Sequence, residues 1–69
     1  MSSGTVKWFS PVKGYGFISP EDGSKDVFVH ISAVERAGLM GLNEGQQIEY
    51  ELQKGNNGKT AAENLKLVD

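Results

Sequence analysis

The sequence predicts an all-β domain, and three observations predict it. Short runs rich in β-branched and aromatic residues recur along the chain. Clusters of Gly, Pro, Asn, Asp and Ser separate them. No segment carries a helical period long enough for more than a turn or two. With 69 residues there is room for one domain, spanning 1–69. Many short strands with Gly-rich turns point to a sandwich or a barrel, and closure into a barrel protects the edges of so small a sheet.

The elements follow in order. "TVKWFS" (5–10) reads as a strand and "SPVKG" (10–14) as a turn. "YGFIS" (15–19) reads as a second strand, closed by the turn formers of "PEDGSKD" (20–26). "VFVHI" (27–31) reads as a third. In "SAVERAG" (32–38), Ser32 with Glu35 fits a capping box and Gly38 fits a helix stop, which predicts one or two helical turns. "LMGLNEG" (39–45) reads as loop. "QQIEYEL" (46–52) alternates, with Ile48, Tyr50 and Leu52 on one face. "QKGNNG" (53–58) reads as a turn. "KTAAENLKLV" (59–68) fits a strand or a helix by composition, and the strands around it select strand.

Composition excludes several classes. There is no cysteine, so no disulfide, and a single histidine without cysteine argues against a structural zinc site. No metal or other cofactor is expected. No stretch approaches the apolar run of about 18 residues that spans a membrane, and no leader-like segment is visible, so the expectation is a soluble cytoplasmic protein. The net charge is −2, which does not suggest a polyanion binder held by charge. The distribution is uneven, however. Residues 1–20 contain Lys7 and Lys13 and no acid, whereas acids begin at Glu21 and dominate from Glu35 onward. An anion-binding face therefore belongs to the first third of the chain, with Lys7 and Lys13 as phosphate candidates and Lys59 as a third. Its electrostatic share is modest, so another force must contribute.

Side chains alternate faces along a strand. Tyr15 and Phe17 share one face of the second strand, Phe28 and His30 one face of the third. Val27, Val29 and Ile31 take the other face and, with Ile48, Tyr50 and Leu52, make a sufficient core. Trp8 and Phe9 point to opposite sides. Alternation alone leaves two readings open, rings buried or rings displayed. Burying the rings exposes Val27, Val29 and Ile31 and leaves Lys7 and Lys13 without purpose. The lysines and the glycines favour display. Gly14 frees the turn, and Gly16, on the inner face, permits tight coiling. Displayed rings offer stacking surfaces to the bases of a single strand, worth about 1–3 kcal/mol per base whatever the sequence. Catalysis has a thin basis, because one histidine does not make a triad. A protein-interaction module using the same aromatic patch is the alternative.

"KGYGFI" (13–18) also fits the opening of the ribonucleoprotein motif, but the RNA-recognition domain needs two full helices and this chain has room for neither. With "VKWFS", "KGYGFI" and "DVFVHISA" in this order, and with "EDGSKD" and "NEGQ", the chain resembles the bacterial cold shock proteins over essentially its whole length. The resemblance implies a five-stranded antiparallel oligonucleotide-binding (OB) barrel. It implies binding of single-stranded RNA and DNA, an RNA-chaperone role, and no small-molecule substrate. A part in stress response and in control of transcription or translation goes with it, and a monomer is expected. Carried over residue by residue, the binding face falls on Lys7, Trp8, Lys13, Tyr15, Phe17, Phe28 and His30. Ile31 stands where most members carry a stacking phenylalanine, and Leu39 or Met40 replaces a loop aromatic. Ser10 stands for the usual asparagine and Tyr15 for phenylalanine. "GKTAAENL" (58–65) lacks the usual proline after its glycine and is one residue longer. Fewer stacking positions imply a weaker or shifted footprint.

Overall fold

The computed structural model describes residues 2–54 and 60–68. Strands β1 (Ser2–Ser10), β2 (Tyr15–Pro20) and β3 (Val27–His30) are followed by helix α1 (Ile31–Arg36), then β4 (Gln47–Lys54) and β5 (Thr60–Leu67). The strands close into a barrel in the order β1-β2-β3-β5-β4. The composition-ambiguous last segment is thus a strand. The ladders β1–β2, β1–β4, β2–β3 and β4–β5 are antiparallel, whereas β3–β5 is parallel, with Phe28 opposite Ala61. Strand directions cannot alternate all the way round a ring of five, so one pair has to run parallel. The antiparallel expectation fails at that seam for a topological reason.

The core gathers one face of every strand. Val6, Ile18, Val27, Val29, Ile48, Tyr50, Ala62 and Leu65 line the interior, and Ala33, Val34 and Leu42 plug it from α1 and the loop behind it. Leu52 does not join them and is 51% exposed. The described β1–β4 pairing runs to Ser2↔Tyr50, and Leu52 lies beyond it on β4, opposite Ala62 of β5.

Two departures from simple alternation matter for the outer surface. The β1–β2 register slips between Val6 and Trp8, a bulge at Lys7. Strict alternation places Trp8 on the same side as Val6. The bulge instead sets Lys7 and Trp8 outside, with Trp8 opposite Phe17, and turns Phe9 in against the core. On β5 the register against β4 slips between Glu49 and Glu51, and Asn64 takes a left-handed φ of 51°.

Gly16 answers to a close approach. A Cβ there falls on the Trp8 carbonyl oxygen and 2.7 Å from the Phe9 Cα. The bulged β1 backbone lies directly against this point, so the residue serves strand contact rather than coiling in general. Gly14 ends the β1–β2 turn at φ +83°, in the left-handed region glycine favours. Its N–H donates to the Ser10 carbonyl at 2.8 Å, and the Lys13 N–H donates to Ser10 Oγ at 3.3 Å.

The helix is capped two positions before the expected Ser32. His30 ends β3 with extended backbone and serves as the N-cap, so Ser32 lies inside the helix rather than before it. The far end follows the expected stop: Gly38 N–H donates to the Glu35 carbonyl and Leu39 N–H to the Val34 carbonyl. Leu39 thereby packs against the core, while Met40 is fully exposed.

Candidate nucleic-acid interface

The outer faces of β1, β2 and β3 carry five rings in contact. Cross-strand pairing sets them side by side: Trp8 opposite Phe17, Phe17 opposite Phe28, and Tyr15 opposite His30. Ring centroids lie 5.4 Å apart for Trp8–Phe17, 5.5 Å for Trp8–Tyr15, 5.6 Å for Tyr15–Phe28 and 5.9 Å for Phe17–Phe28. His30 extends the row, 6.3 Å from Phe28. None of these rings belongs to the buried core. Trp8, Tyr15, Phe17 and Phe28 are half-buried, edges against one another, and His30 is exposed. Most neighbours are tilted or edge-on, and Tyr15 and Phe28 come nearest to parallel at 30°. Such mutual packing holds the rings in place without covering them.

The lysines differ from one another. Lys13 is exposed in the β1–β2 turn and has no ion-pair partner among the described residues. Lys7 donates from Nζ to Asp26 Oδ2 at 2.9 Å, and Asp26 Oδ1 accepts from Ser19 Oγ at 3.3 Å. The Lys7 hydrogen bond holds the Asp26 carboxyl below the usual carboxylate range, outweighing partial desolvation. An exposed pair of this kind is worth about 0–1 kcal/mol, so a phosphate can compete for the ammonium. Lys59 lies outside the described residues.

Ile31 is not part of the row. It opens α1 instead of closing β3, is half-buried, and donates its N–H to the Gly14 carbonyl at 2.9 Å. Its Cγ2 lies 3.6 Å from where a Gly14 side chain would begin. Neither the inward parity of a strand residue nor continuation of the ring row describes it. Met40 is the exposed member of the loop pair, and Leu39 is the packed one.

Sequence reading missed Asp26 as the partner of Lys7 and His30 as a helix cap. It also missed the acidic flank of the platform. Beside Phe17 and Phe28 runs an open cleft of about 740 Å³ whose lining includes Glu21, Asp22, Asp26 and Tyr50. Hydrogen bonds from the Ser24 hydroxyl and N–H hold the Asp22 carboxyl below its ordinary range. The Tyr50 hydroxyl is buried without a partner among the described residues, and its pKa is pushed up by burial first and by the nearby Asp22 and Glu21 charges second. The one sequence signal for this flank was the acid run beginning at Glu21.

A closed five-stranded barrel with a contiguous aromatic row outside and aliphatic residues inside is the architecture of an OB-fold surface that meets nucleic acid. Comparison with known proteins specifies it further. The family described as 'Cold-shock' DNA-binding domain matches residues 2–67. A probable cold shock protein of Sinorhizobium fredii is 65% identical over 94% of this chain and 96% of its own length. Cold shock protein CspA of Rhizobium meliloti is 57% identical over 99% of this chain and all of its own length. Cold shock-like protein CspE of Escherichia coli is 55% identical over 93% of each chain. The chain belongs to the cold-shock domain family. It is a nucleic-acid-binding cold shock protein and not an enzyme, as that family membership establishes. Among the described residues no helix is long and apolar enough to cross a membrane.

Proposed function

We propose that the protein binds single-stranded RNA and DNA with little sequence preference, by stacking bases on Trp8, Tyr15, Phe17, Phe28 and His30. In this reading it acts in the cytoplasm as a monomeric RNA chaperone that keeps transcripts unstructured, with consequences for transcription or translation under stress. The observation that carries the reading is the contiguity of the rings, each centroid within 5.4–6.3 Å of the next. Bases in a single strand can splay onto such a row, whereas a duplex hides their faces. Charge plays the smaller part, because Lys7 is already paired with Asp26 and the cleft beside Phe17 and Phe28 carries Glu21, Asp22 and Asp26 as well as Lys25.

Trp8 fluorescence titrated with single strands, and with a duplex of the same sequence, tests the proposal. Single strands are expected to quench and to bind far more tightly. Two phosphate contacts predict a slope of log K against log salt of roughly −1.4, at about −0.7 each. Equal affinity for duplex and single strand contradicts the stacking platform. No quenching by any oligomer leaves the protein-docking reading of the same rings.

A further inference from the structure

We infer that His30 is held as the Nε2–H tautomer and presents that N–H as a fixed hydrogen-bond donor to an acceptor atom on a base edge. The inference rests on the single-strand binding proposed above and adds a polar contact to a surface otherwise defined by stacking.

The Nδ1 edge of the ring is already committed. Ser32 N–H donates to His30 Nδ1 at 3.1 Å, the N-cap contact of α1. Ser32 Oγ lies 2.9 Å from the same nitrogen. The hydroxyl rotates and can serve as donor or acceptor, so it does not decide the tautomer. The backbone N–H decides it, because a peptide nitrogen only donates. A proton on Nδ1 would face the Ser32 amide hydrogen and leave a first-turn N–H unpaired. The neutral ring therefore carries its proton on Nε2, at the opposite edge.

Two further features aim and stiffen that donor. The helix His30 caps buries Ala33 and Val34 in the barrel core, so the cap bond ties the imidazole to a packed element. The ring also stands in the aromatic row, across from Tyr15 and tilted 40° to Phe28. His30 is exposed, so its Nε2 edge is open to a base held on the neighbouring ring. A side chain ordered before binding loses less freedom when it makes its contact. His30 thus adds direction to the stacking area that it shares with the other rings.

Two measurements test this. Long-range proton–nitrogen NMR correlations on the free protein, followed upward in pH until the imidazole is neutral, report which nitrogen is protonated. Nε2–H is expected, and a predominant Nδ1–H overturns the inference. In the second, each thymine of a short oligo-dT is replaced in turn by 2,4-difluorotoluene, which keeps the shape and loses the strong acceptors. One or two positions are expected to lose roughly 3- to 10-fold in affinity with the native protein, the range of one hydrogen bond. His30→Phe keeps a ring without the donor, and the loss at those positions should shrink to near nothing. His30→Asp restores an acceptor for the Ser32 N–H and offers no donor, and should recover thermal stability without recovering the discrimination. It carries the comparison even if His30→Phe folds poorly. Equal losses in native protein and in both variants overturn the donor role. Absence of any oligo-dT binding by the native protein overturns the proposed function and the base contact together, while the tautomer stands on its NMR result alone.

Discussion

The barrel has two outer faces, and they are built from opposite materials. Over β1–β3 the outward positions are Trp8, Tyr15, Phe17, Phe28 and His30. Over β4–β5 they include Glu49, Glu51, Glu63 and Lys66, with Glu49 opposite Lys66 and Glu51 opposite Glu63. The like-charged pair is relieved by Arg36, whose Nη1 donates to Glu63 Oε1 at 3.2 Å. Both halves bury the same kind of inner face, Ile18 and Val29 in one and Ile48 and Ala62 in the other. Closure of the barrel therefore constrains only the interior. The outer faces are free to diverge: stacking surfaces lie on β1–β3, whereas β4–β5 carries Glu49, Glu51 and Glu63, and a second acidic group of Glu21, Asp22 and Asp26 flanks the rings.

The difference between faces predicts different responses to substitution. The largest effect belongs to the shared interior. Ile18→Ala removes a fully buried side chain and is expected to cost about 2–5 kcal/mol, read as a lower denaturation midpoint. Net stability of a domain this small is about 3–5 kcal/mol, so much of the population should unfold. A midpoint within error of the native protein breaks the claim that one core serves both faces. Gly16→Ala comes next. Its new Cβ meets backbone atoms of Trp8 and Phe9 rather than a flexible side chain. A loss of about 1–3 kcal/mol follows from overpacking of this kind, and thermal melts check it.

The opposite sign is expected on β4. Tyr50→Phe deletes a buried hydroxyl that has no partner among the described residues, and should stabilise the domain by about 1–3 kcal/mol. The same variant sharpens a pH dependence. Tyr50 has a raised pKa in the folded state, relative to 10.0. The folded state disfavours the ionised phenol, so stability is unaffected by this group below about pH 10 and is lost as pH rises from there toward and through the folded value. Stability should decline above about pH 10 in the native protein and decline less in Tyr50→Phe. Identical alkaline profiles contradict the burial argument. The smallest effect is on the acidic face. Glu51→Gln is expected to leave affinity for a single strand nearly unchanged, shifting it by less than about 1 kcal/mol at physiological salt. A large gain in binding places the strand closer to β4–β5 than the rings do.

Much of this was legible in the sequence because burial leaves a period. Val27 and Val29 alternate with Phe28 and His30, and that alternation separates the two faces of β3, while the lysines and glycines nearby favoured the ring-bearing face as the displayed one. Ile48 and Tyr50 do the same on β4. What escaped was every feature that depends on a neighbour rather than on the segment itself. The bulge at Lys7 reverses the facing of Trp8 and Phe9, and it is defined only by pairing with β2. Leu52 keeps the period of its strand yet is exposed, at a position on β4 beyond the described pairing with β1. Ile31 reads as strand, yet the chain turns into α1 one residue earlier because His30 supplies the cap through a ring nitrogen. The parallel β3–β5 seam follows from the number of strands and the closed ring, which no local pattern contains. The pairing of Lys7 with Asp26 joins residues 19 apart and changed the expected part of Lys7 from a free cation to a shared one.

The central claim is that the rings of β1–β3 are displayed for stacking and are not part of what holds the barrel together. The variant Phe17→Ala/Phe28→Ala tests it most directly, with thermal melting and single-strand titration run on the same sample. Phe17 and Phe28 face each other across β2–β3 at 5.9 Å and lie outside the buried core. The account predicts a folded protein with a modestly lowered melting temperature, the lost edge-to-face contact being worth about 0.5–1.5 kcal/mol. It predicts at the same time a loss of about 1–3 kcal/mol of binding for each stacked base. A variant that no longer folds, or one that folds and binds single strands as tightly as the native protein, contradicts it.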